Sequence, residues 1–156
     1  MIYPYELESG KNYPVNDDFT INHCETQGNG IYVERHFKKG EMVARMTGIT
    51  VPYILQHTLQ ITPHLHLYDP HFSGLLLHSC DPLVCLDMNK LEIWALQDIK
   101  KGEALTMDYA STEDILFRQF PCVCGAINCR RWVTGRKESI NDLGRKSLRD
   151  LERKCG

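Results

Sequence analysis

The sequence lacks the long apolar runs and leader segments of membrane and secreted proteins. Its leucine-rich stretch, Leu75–Leu77, is bounded by Gly74 and His78 and is far shorter than the roughly 20 residues that span a bilayer. The first residues, Met1–Glu6, contain neither the basic nor the apolar part of a secretory signal. We therefore expect a soluble protein without membrane contact, located inside the cell in the cytoplasm or the nucleus.

The chain also lacks a large net charge. Its 18 Lys and Arg residues and 20 Asp and Glu residues give a formal charge of −2. Nine of the basic residues lie between Arg130 and Lys154, where there are only four acidic ones, but no aromatic residue is interleaved with them after Trp132. We interpret this basic tail as a solvated helix face and expect no direct nucleic-acid binding.

Internal repeats are absent as well, and short β-rich runs separated by turn signals dominate the chain. With 156 residues, of which 42% are hydrophobic, the length and composition are those of one globular domain. A Lys-Lys-Gly-Glu turn occurs twice, at 38–41 and 100–103, and each copy is predicted to join two hairpin-like strands. The candidate strands are Ile31–Val33, Met42–Met46, Ile49–Val51, Leu91–Ala95 and Ala104–Met107.

The two ends of the chain differ from this β-rich middle. Residues 1–19 are rich in Tyr and Pro, which predicts an extended arm on the surface. Near the C-terminus, apolar side chains fall within one arc of a helical wheel, which predicts an amphipathic helix. Ser139, followed three residues later by Asp142, is predicted to begin it. The arc comprises Ile140, Leu143, Leu148, Leu151 and Cys155.

Seven cysteines form an odd set in a chain without a secretory signal, which argues against a disulfide framework. Three of them, Cys122, Cys124 and Cys129, are close enough in sequence to hold one zinc ion, with free thiols in a loop as the alternative. A structural zinc site normally has four ligands. The candidates for the fourth are Cys80, Cys24, Cys85, Cys155 or a histidine.

Two further patterns are less specific. Gly28-Asn29-Gly30 precedes a strand instead of a helix, and Val33 stands where a dinucleotide fingerprint has its third glycine, so a Rossmann fold is disfavoured. Five histidines lie between His57 and His78, but no carboxylate is spaced to complete a metal site with them. We therefore expect no second metal.

In order along the chain, four motifs resemble those of the SET domain, the β-rich family of protein-lysine methyltransferases. The motifs are Gly28-Asn29-Gly30-Ile31 through Lys39-Gly40-Glu41, His78-Ser79-Cys80-Asp81-Pro82, the strand pair from Ala95 to Tyr109 that ends in Glu103-Ala104-Leu105-Thr106-Met107-Asp108-Tyr109, and Cys122-Val123-Cys124-Gly125 to Cys129-Arg130. The resemblance implies a mostly β fold of small sheets with short helices and a C-terminal helix. It also implies a pseudoknot around His78 and Tyr109, which is an exception to the rule against threaded chains.

The resemblance further implies three parts and two bound groups. The parts are an N-terminal arm at 1–19, a SET domain at 20–110, and a post-SET zinc segment with the C-terminal helix at 111–156. S-adenosylmethionine is the implied methyl donor, and Cys80 is the implied fourth ligand of a structural zinc. The implied cofactor contacts are the backbone of Gly28, Asn29 and Gly30, Tyr32, and the backbone of His78, which holds the adenine in relatives.

Tyr109 is the implied catalytic residue, because its hydroxyl faces the transferring methyl group in the family. The substrate is then a lysine-containing protein, histone or non-histone. Met107 replaces a Phe or Tyr of the family and favours multiple methylation. Trp132 either lines a lid over the site or packs the zinc lobe.

Other departures from the family pattern support a second reading. Leu77 replaces the Asn before His78, Leu83 replaces the Asn after Pro82, and Gly74 stands where relatives often have Arg. The alternative to an enzyme is therefore a catalytically impaired SET-like module that recognises a protein or a cofactor. A zinc protein that binds nucleic acid through the basic tail would account for residues 122–154 only.

Overall fold

A computed structural model describes residues 1–155, with side chains through Lys154. The side chain of Cys155, a candidate zinc ligand and a member of the predicted apolar arc, lies outside the described residues. The strands are β1 Phe19–Cys24, β2 Gly28–Val33, β3 Met42–Arg45, β4 Ile49–Val51, β5 Thr58–Thr62, β6 Leu65–Tyr68, β7 Leu77–His78, β8 Val84–Asp87, β9 Glu92–Ala95, β10 Thr106–Met107, β11 Phe120–Pro121 and β12 Trp132–Val133. One α-helix, α1, covers Asp142–Cys155, and short 3₁₀ turns cover Ser73–Leu75 and Tyr109–Ser111.

These strands form five small sheets, which confirms the mostly β fold. Antiparallel pairs join β1 with β2 and β11 with β12, and two three-stranded sheets have the orders β3-β9-β8 and β4-β6-β5. The strands β7 and β10 pair in parallel, with Met107 opposite His78. This pairing brings together the two segments of the expected pseudoknot, although the paired residues His78 and Met107 are 29 positions apart along the chain.

The two Lys-Lys-Gly-Glu turns form as predicted, but the strands that they join do not pair as hairpins. Gly40 and Gly102 both adopt positive φ, at 85° and 92°, a conformation that glycine reaches without strain. Next to the turns, Phe37 and Ile99 each donate a backbone hydrogen bond to the other, at 2.9 and 2.8 Å. The prediction of hairpins is wrong because the strands on either side of each turn belong to different sheets. β2 pairs with β1 whereas β3 pairs with β9, and β10 pairs with β7.

The main core lies between the hairpin β1–β2 and the sheet β3-β9-β8. Phe19 stacks on Phe37 and meets Phe72 edge to face, with ring centroids 5.7 and 4.8 Å apart. Other fully buried residues of this core are Ile31, Met46, Leu67, Leu76, Ile93, Ile99, Leu105 and Met107. A smaller cluster, formed by Cys80, Leu116, Cys122 and Val133, lies under the C-terminal segment.

The N-terminal arm is anchored in the core, so the prediction that it lies on the surface is wrong at its first turn. Tyr3 is 3% exposed, and its hydroxyl donates a hydrogen bond of 2.9 Å to Asp69. Asp69 also accepts from the backbone and the hydroxyl of Ser73. Burial and the Asp69 carboxylate raise the pKa of Tyr3, which keeps its hydroxyl as a donor. The Tyr3 hydroxyl thus has a buried hydrogen-bond acceptor, Asp69, which the sequence pattern does not indicate.

Replacing Tyr3 with Phe should lower the free energy of unfolding by about 1–3 kcal/mol, because a buried carboxylate loses one of its donors. Urea denaturation measures this effect. The matched control is Tyr53→Phe, since Tyr53 is 56% exposed and should tolerate the change. Equal midpoints for the two variants would show that the arm is not anchored through this hydroxyl.

The C-terminal helix forms where predicted but begins at a different residue. Asn141 caps it, since its Oδ1 accepts from the backbone N–H of Gly144 at 2.9 Å, whereas Ser139 only offers its carbonyl to Gln119. Its apolar arc is only partly covered: Leu143 is 65% exposed. Gly144 packs directly on the indole of Trp132, where a Cβ would collide with the ring. No helix in residues 1–155 has both the length and the apolar character needed to cross a bilayer.

Candidate functional site

Tyr109 lies at the end of β10, in a turn that its neighbours hold in place. The carboxylate of Asp108 caps this turn by accepting from the backbone N–H of Ala110 at 3.0 Å. The Tyr109 hydroxyl donates a hydrogen bond of 2.6 Å to the carbonyl oxygen of Leu76. Burial, with the nearby Glu113 carboxylate, raises the pKa of Tyr109, so the phenol stays protonated.

His78 packs beside Tyr109 as a neutral, buried ring. Its Nδ1 accepts from the backbone N–H of Tyr109 at 3.2 Å, and Phe120 meets it edge to face with centroids 5.7 Å apart. Burial lowers the pKa of His78 to about 4, and the charge of Arg130 acts in the same direction while Asp108 opposes it. The imidazole therefore fixes the orientation of the Tyr109 backbone.

A cavity of about 360 Å³ opens beside this pair of residues. Asn29 and Tyr109 are the two predicted site residues in its wall. Gly28, Gly30, Tyr32 and His78 are outside the lining, and their assignment as cofactor contacts stays a prediction. The remaining wall comes from Thr26 and Gln27, residues 54–59, residues 73–77, Met107, Glu113, residues 116–118 and Phe120. The wall is thus mixed: Leu, Ile, Met and Phe side chains alternate with polar ones, which include the charged residues Glu113 and Arg118.

The glycine motif provides close backbone approach at its second glycine. A Cβ at Gly30 would lie only 2.6 Å from the side chain of Leu77, so β2 packs tightly on β7. The first glycine, Gly28, has φ +86° and ends the turn after β1. The side chain of Leu77 therefore fills the space over Gly30. The departure at Gly74 has a similar steric cause, because any side chain there would collide with the backbone carbonyls of Asp69 and His57.

The three clustered cysteines converge with Cys80, the fourth ligand that the family resemblance implies and that cysteine spacing alone left open. The Sγ atoms of Cys80, Cys122, Cys124 and Cys129 all lie within 4.8 Å of one another, and those of Cys80 and Cys122 are 3.9 Å apart. Sulfurs at the corners of a tetrahedron around zinc, each about 2.3 Å from it, are about 3.8 Å apart. The four thiols therefore fit a structural zinc ion.

Protonation differs across this cluster. Burial raises the pKa of Cys122. Burial opposes ionisation of Cys124 too, but hydrogen bonds from the backbone at Ala126 and Cys80 and from its cysteine neighbours lower its pKa to about 6. These hydrogen bonds favour the thiolate form of Cys124, which is the form that binds metal.

Arg130 connects the cysteine cluster to the Tyr109 turn. Its backbone N–H and its Nε donate to Cys80 Sγ at 3.4 and 3.3 Å, and its guanidinium forms a 2.7 Å ion pair with Asp108. The positive charge would compensate the thiolates of a zinc site. The position of Arg130 directly after Cys129 is a weak sequence signal for this residue, but no sequence pattern indicates its pairing with Asp108.

Several other candidates lie elsewhere. Cys24 and Cys85 are outside the cluster. Trp132 is absent from the cavity wall; it is 4% exposed and donates to Gln119 at 2.9 Å, so it packs the C-terminal lobe and does not line a lid. The histidines at 57–78 do not converge: among the side chains that the structure describes, the four cysteines are the one group with metal-site geometry.

The chain is similar to known proteins of one family. Residues 28–110, more than half of the chain, match the family model of the SET domain. Human histone-lysine N-methyltransferase 2B is 27% identical over 129 residues, covering 68% of this chain and 5% of that protein. The methyltransferase flvH of Aspergillus flavus is 35% identical over 94 residues, covering 59% of this chain and 53% of that protein. The chain thus spans about half, or much less, of these relatives.

Solved structures agree on the fold. The crystal structure of KRYPTONITE in complex with mCHH DNA, an H3(1-15) peptide and SAH superposes with a TM-score of 0.60 at 19% identity. The match covers 73% of this chain and 29% of that chain. The chain therefore shares its fold of small sheets with this structure.

Proposed function

The chain belongs to the SET-domain family, and on this basis we propose that it transfers a methyl group from S-adenosylmethionine to the ε-amine of a lysine in a protein substrate. One observation supports the proposal most: the Tyr109 hydroxyl is held against the Leu76 carbonyl at the wall of the cavity. The names of the relatives support methyl transfer, and SAH and an H3 peptide occur together in the KRYPTONITE complex. A histone is accordingly the first substrate to test.

The protein's own contribution to this reaction begins with the lysine. A free lysine has a pKa of about 10.4, but only its neutral amine is a nucleophile. Apolar wall residues such as Leu76, Met107 and Leu116 disfavour the charged form, whereas Glu113 in the same wall favours it. A lysine whose amine lies against the apolar side chains would therefore be bound in the neutral form. When bound, S-adenosylmethionine would supply an electrophilic methyl group on a positively charged sulfur.

Tyr109 would orient and stabilise the reacting groups. Because its proton is donated to Leu76, the lone pairs of its oxygen remain available to CH···O contacts with a polarised methyl group. Displacement on a methyl group needs little acid–base chemistry, so catalysis rests mainly on alignment and electrostatics. Met107 offers no hydroxyl to restrain the amine, which favours multiple methylation.

The four cysteines would hold a structural zinc ion, as their convergence supports. The metal would tie Cys80, at the end of β7, to the segment that carries Phe120 and Arg130.

Residues 1–19, 20–110 and 111–156 are retained as the three parts of the chain. Expected locations remain the cytoplasm or nucleus. We also still expect no direct binding of nucleic acid. Because the KRYPTONITE structure contains DNA, nucleic-acid binding by this chain should be tested.

A binding module without catalysis is the second candidate. Leu77 fills the space over Gly30 where the family has a polar side chain, which supports weak cofactor binding. Calorimetric titration with S-adenosylhomocysteine separates strong from weak binding directly.

Transfer of radiolabelled methyl from S-adenosylmethionine to mixed histones and to a whole-cell protein extract tests the main proposal. We expect label in one or a few protein bands, above the signal without enzyme. Absence of label in every fraction, despite cofactor binding in the calorimeter, would favour the binding module. Label on nucleic acid would contradict the proposed substrate class.

A further inference from the structure

The side chain of Gln27 forms an unusual pair of hydrogen bonds with the backbone of His78. Its Oε1 accepts from the His78 N–H at 2.8 Å, and its Nε2 donates to the His78 carbonyl oxygen at 3.1 Å. The carboxamide therefore satisfies both backbone groups of one residue, although 51 positions separate the two residues.

These two backbone groups lie on the free edge of β7. In a strand, the N–H and C=O of one residue point to the same side, and those of the next residue point to the other. Leu77 and Ser79 donate to Leu105 and Met107 beside β10, at 3.2 and 3.0 Å, so the groups of His78 face away from that strand. A donor and an acceptor are thus presented side by side to Gln27, which lines the cavity.

The N–H and C=O of His78 can bind any ligand group that offers an acceptor to the N–H and a donor to the C=O. A carboxamide does so through its oxygen and its NH₂ group, and adenine does so through N7 and its N6 amino group. The two groups are equivalent in hydrogen-bonding pattern. They therefore compete for the same backbone pair if the cofactor carries an adenine.

The location of Gln27 allows its side chain to rotate away from the His78 backbone. It is an exposed residue in the turn between β1 and β2, which is closed by a 3.3 Å hydrogen bond from its backbone N–H to Cys24. The next residue, Gly28, takes up the positive φ of the turn. Rotation of the side chain alone would free His78 without moving either strand.

We propose that the Gln27 carboxamide occupies the adenine position of the cofactor site and must rotate away before S-adenosylmethionine binds. This inference rests on the proposed function, because that function supplies the adenine. Gln27 then lowers the affinity for the cofactor by the fraction of molecules in which it is closed on His78. It is a residue that determines cofactor affinity, not a catalytic residue.

Calorimetric titration of S-adenosylhomocysteine into the full chain tests the competition. Gln27→Ala should bind about tenfold more tightly than the wild type, because two modest hydrogen bonds no longer hold the site closed. Gln97→Ala is the matched control, since Gln97 also bonds to a backbone carbonyl, that of Pro82, but does not contact His78. Its affinity should equal that of the wild type.

A second measurement does not need the cofactor. Amide hydrogen exchange of the His78 N–H, followed by NMR in the free protein, should be faster in Gln27→Ala than in the wild type or Gln97→Ala. Equal or weaker binding by Gln27→Ala, or unchanged exchange at His78, would overturn the inference alone. If exchange is faster in Gln27→Ala but no variant binds S-adenosylhomocysteine, the proposed function is overturned, and the competition with adenine falls with it. The hydrogen bonds between Gln27 and His78 would then still be established.

Discussion

Replacing Tyr109 with Phe should lower the rate of methyl transfer by about 10²- to 10³-fold. The substitution removes one oxygen atom, which is the group proposed to stabilise the reacting methyl group. The ring would keep its edge-to-face contacts with His78 and Phe120, whose centroids lie 5.2 and 5.7 Å away, so the fold should persist. The measured quantities are kcat and KM with the labelled substrate.

The controls separate catalysis from structure. Tyr5→Phe removes the same atom from a residue that is 45% exposed, and it should retain full activity. Binding of S-adenosylhomocysteine to the Tyr109 variant should change by less than about threefold, since the loss concerns the transition state. Full activity in Tyr109→Phe would contradict its assignment as the catalytic residue. A parallel loss of cofactor binding would show that the hydroxyl is needed for structure.

Replacing Cys80 with Ser should release zinc and lower methyl transfer by at least about tenfold. Cys80 follows β7, so it is the ligand that joins the cofactor region to the C-terminal segment. Without it, the contacts of Phe120 with His78 and of Arg130 with Asp108 would lose their anchor. Zinc content by mass spectrometry of the metal, together with the transfer rate, measures the effect.

Cys85→Ser is the matched control for this experiment. Cys85 is exposed on β8 and lies outside the cluster, so its substitution should leave zinc content and activity unchanged. Treatment of the wild type with a chelator should reproduce the loss seen in Cys80→Ser. A protein purified with no zinc that nevertheless transfers methyl at the full rate would contradict a structural role for the metal.

The sequence predicted local structure better than pairing. The strands at Ile49–Val51 and Ile31–Val33, the two glycine turns and the C-terminal helix depend on nearby residues, and they were found where expected. The partners of those strands depend on contacts far apart in the chain. The Phe37–Ile99 bridge and the burial of Tyr3 against Asp69 are such contacts, and no local pattern indicates them.

In the candidate site, too, local patterns predicted some residues, and contacts between distant parts of the chain brought in others. Spacing alone selected three cysteines, and family resemblance added Cys80, which the fold brings among them. Gln27 has no signal in sequence, because it precedes Gly28 in an ordinary turn and meets His78 only after β2 and β7 pack together. The Arg130–Asp108 ion pair is equally invisible, since it joins residues 22 positions apart across the lobe.

The most direct test of lysine methylation uses S-adenosylmethionine with a deuterated methyl group, followed by tandem mass spectrometry of the labelled substrate. We expect the deuterated methyl on the ε-nitrogen of a lysine, in one or more copies, with wild-type protein and not with Tyr109→Phe. A label on any other side chain, or the same labelled lysine with both proteins, would contradict the proposed function.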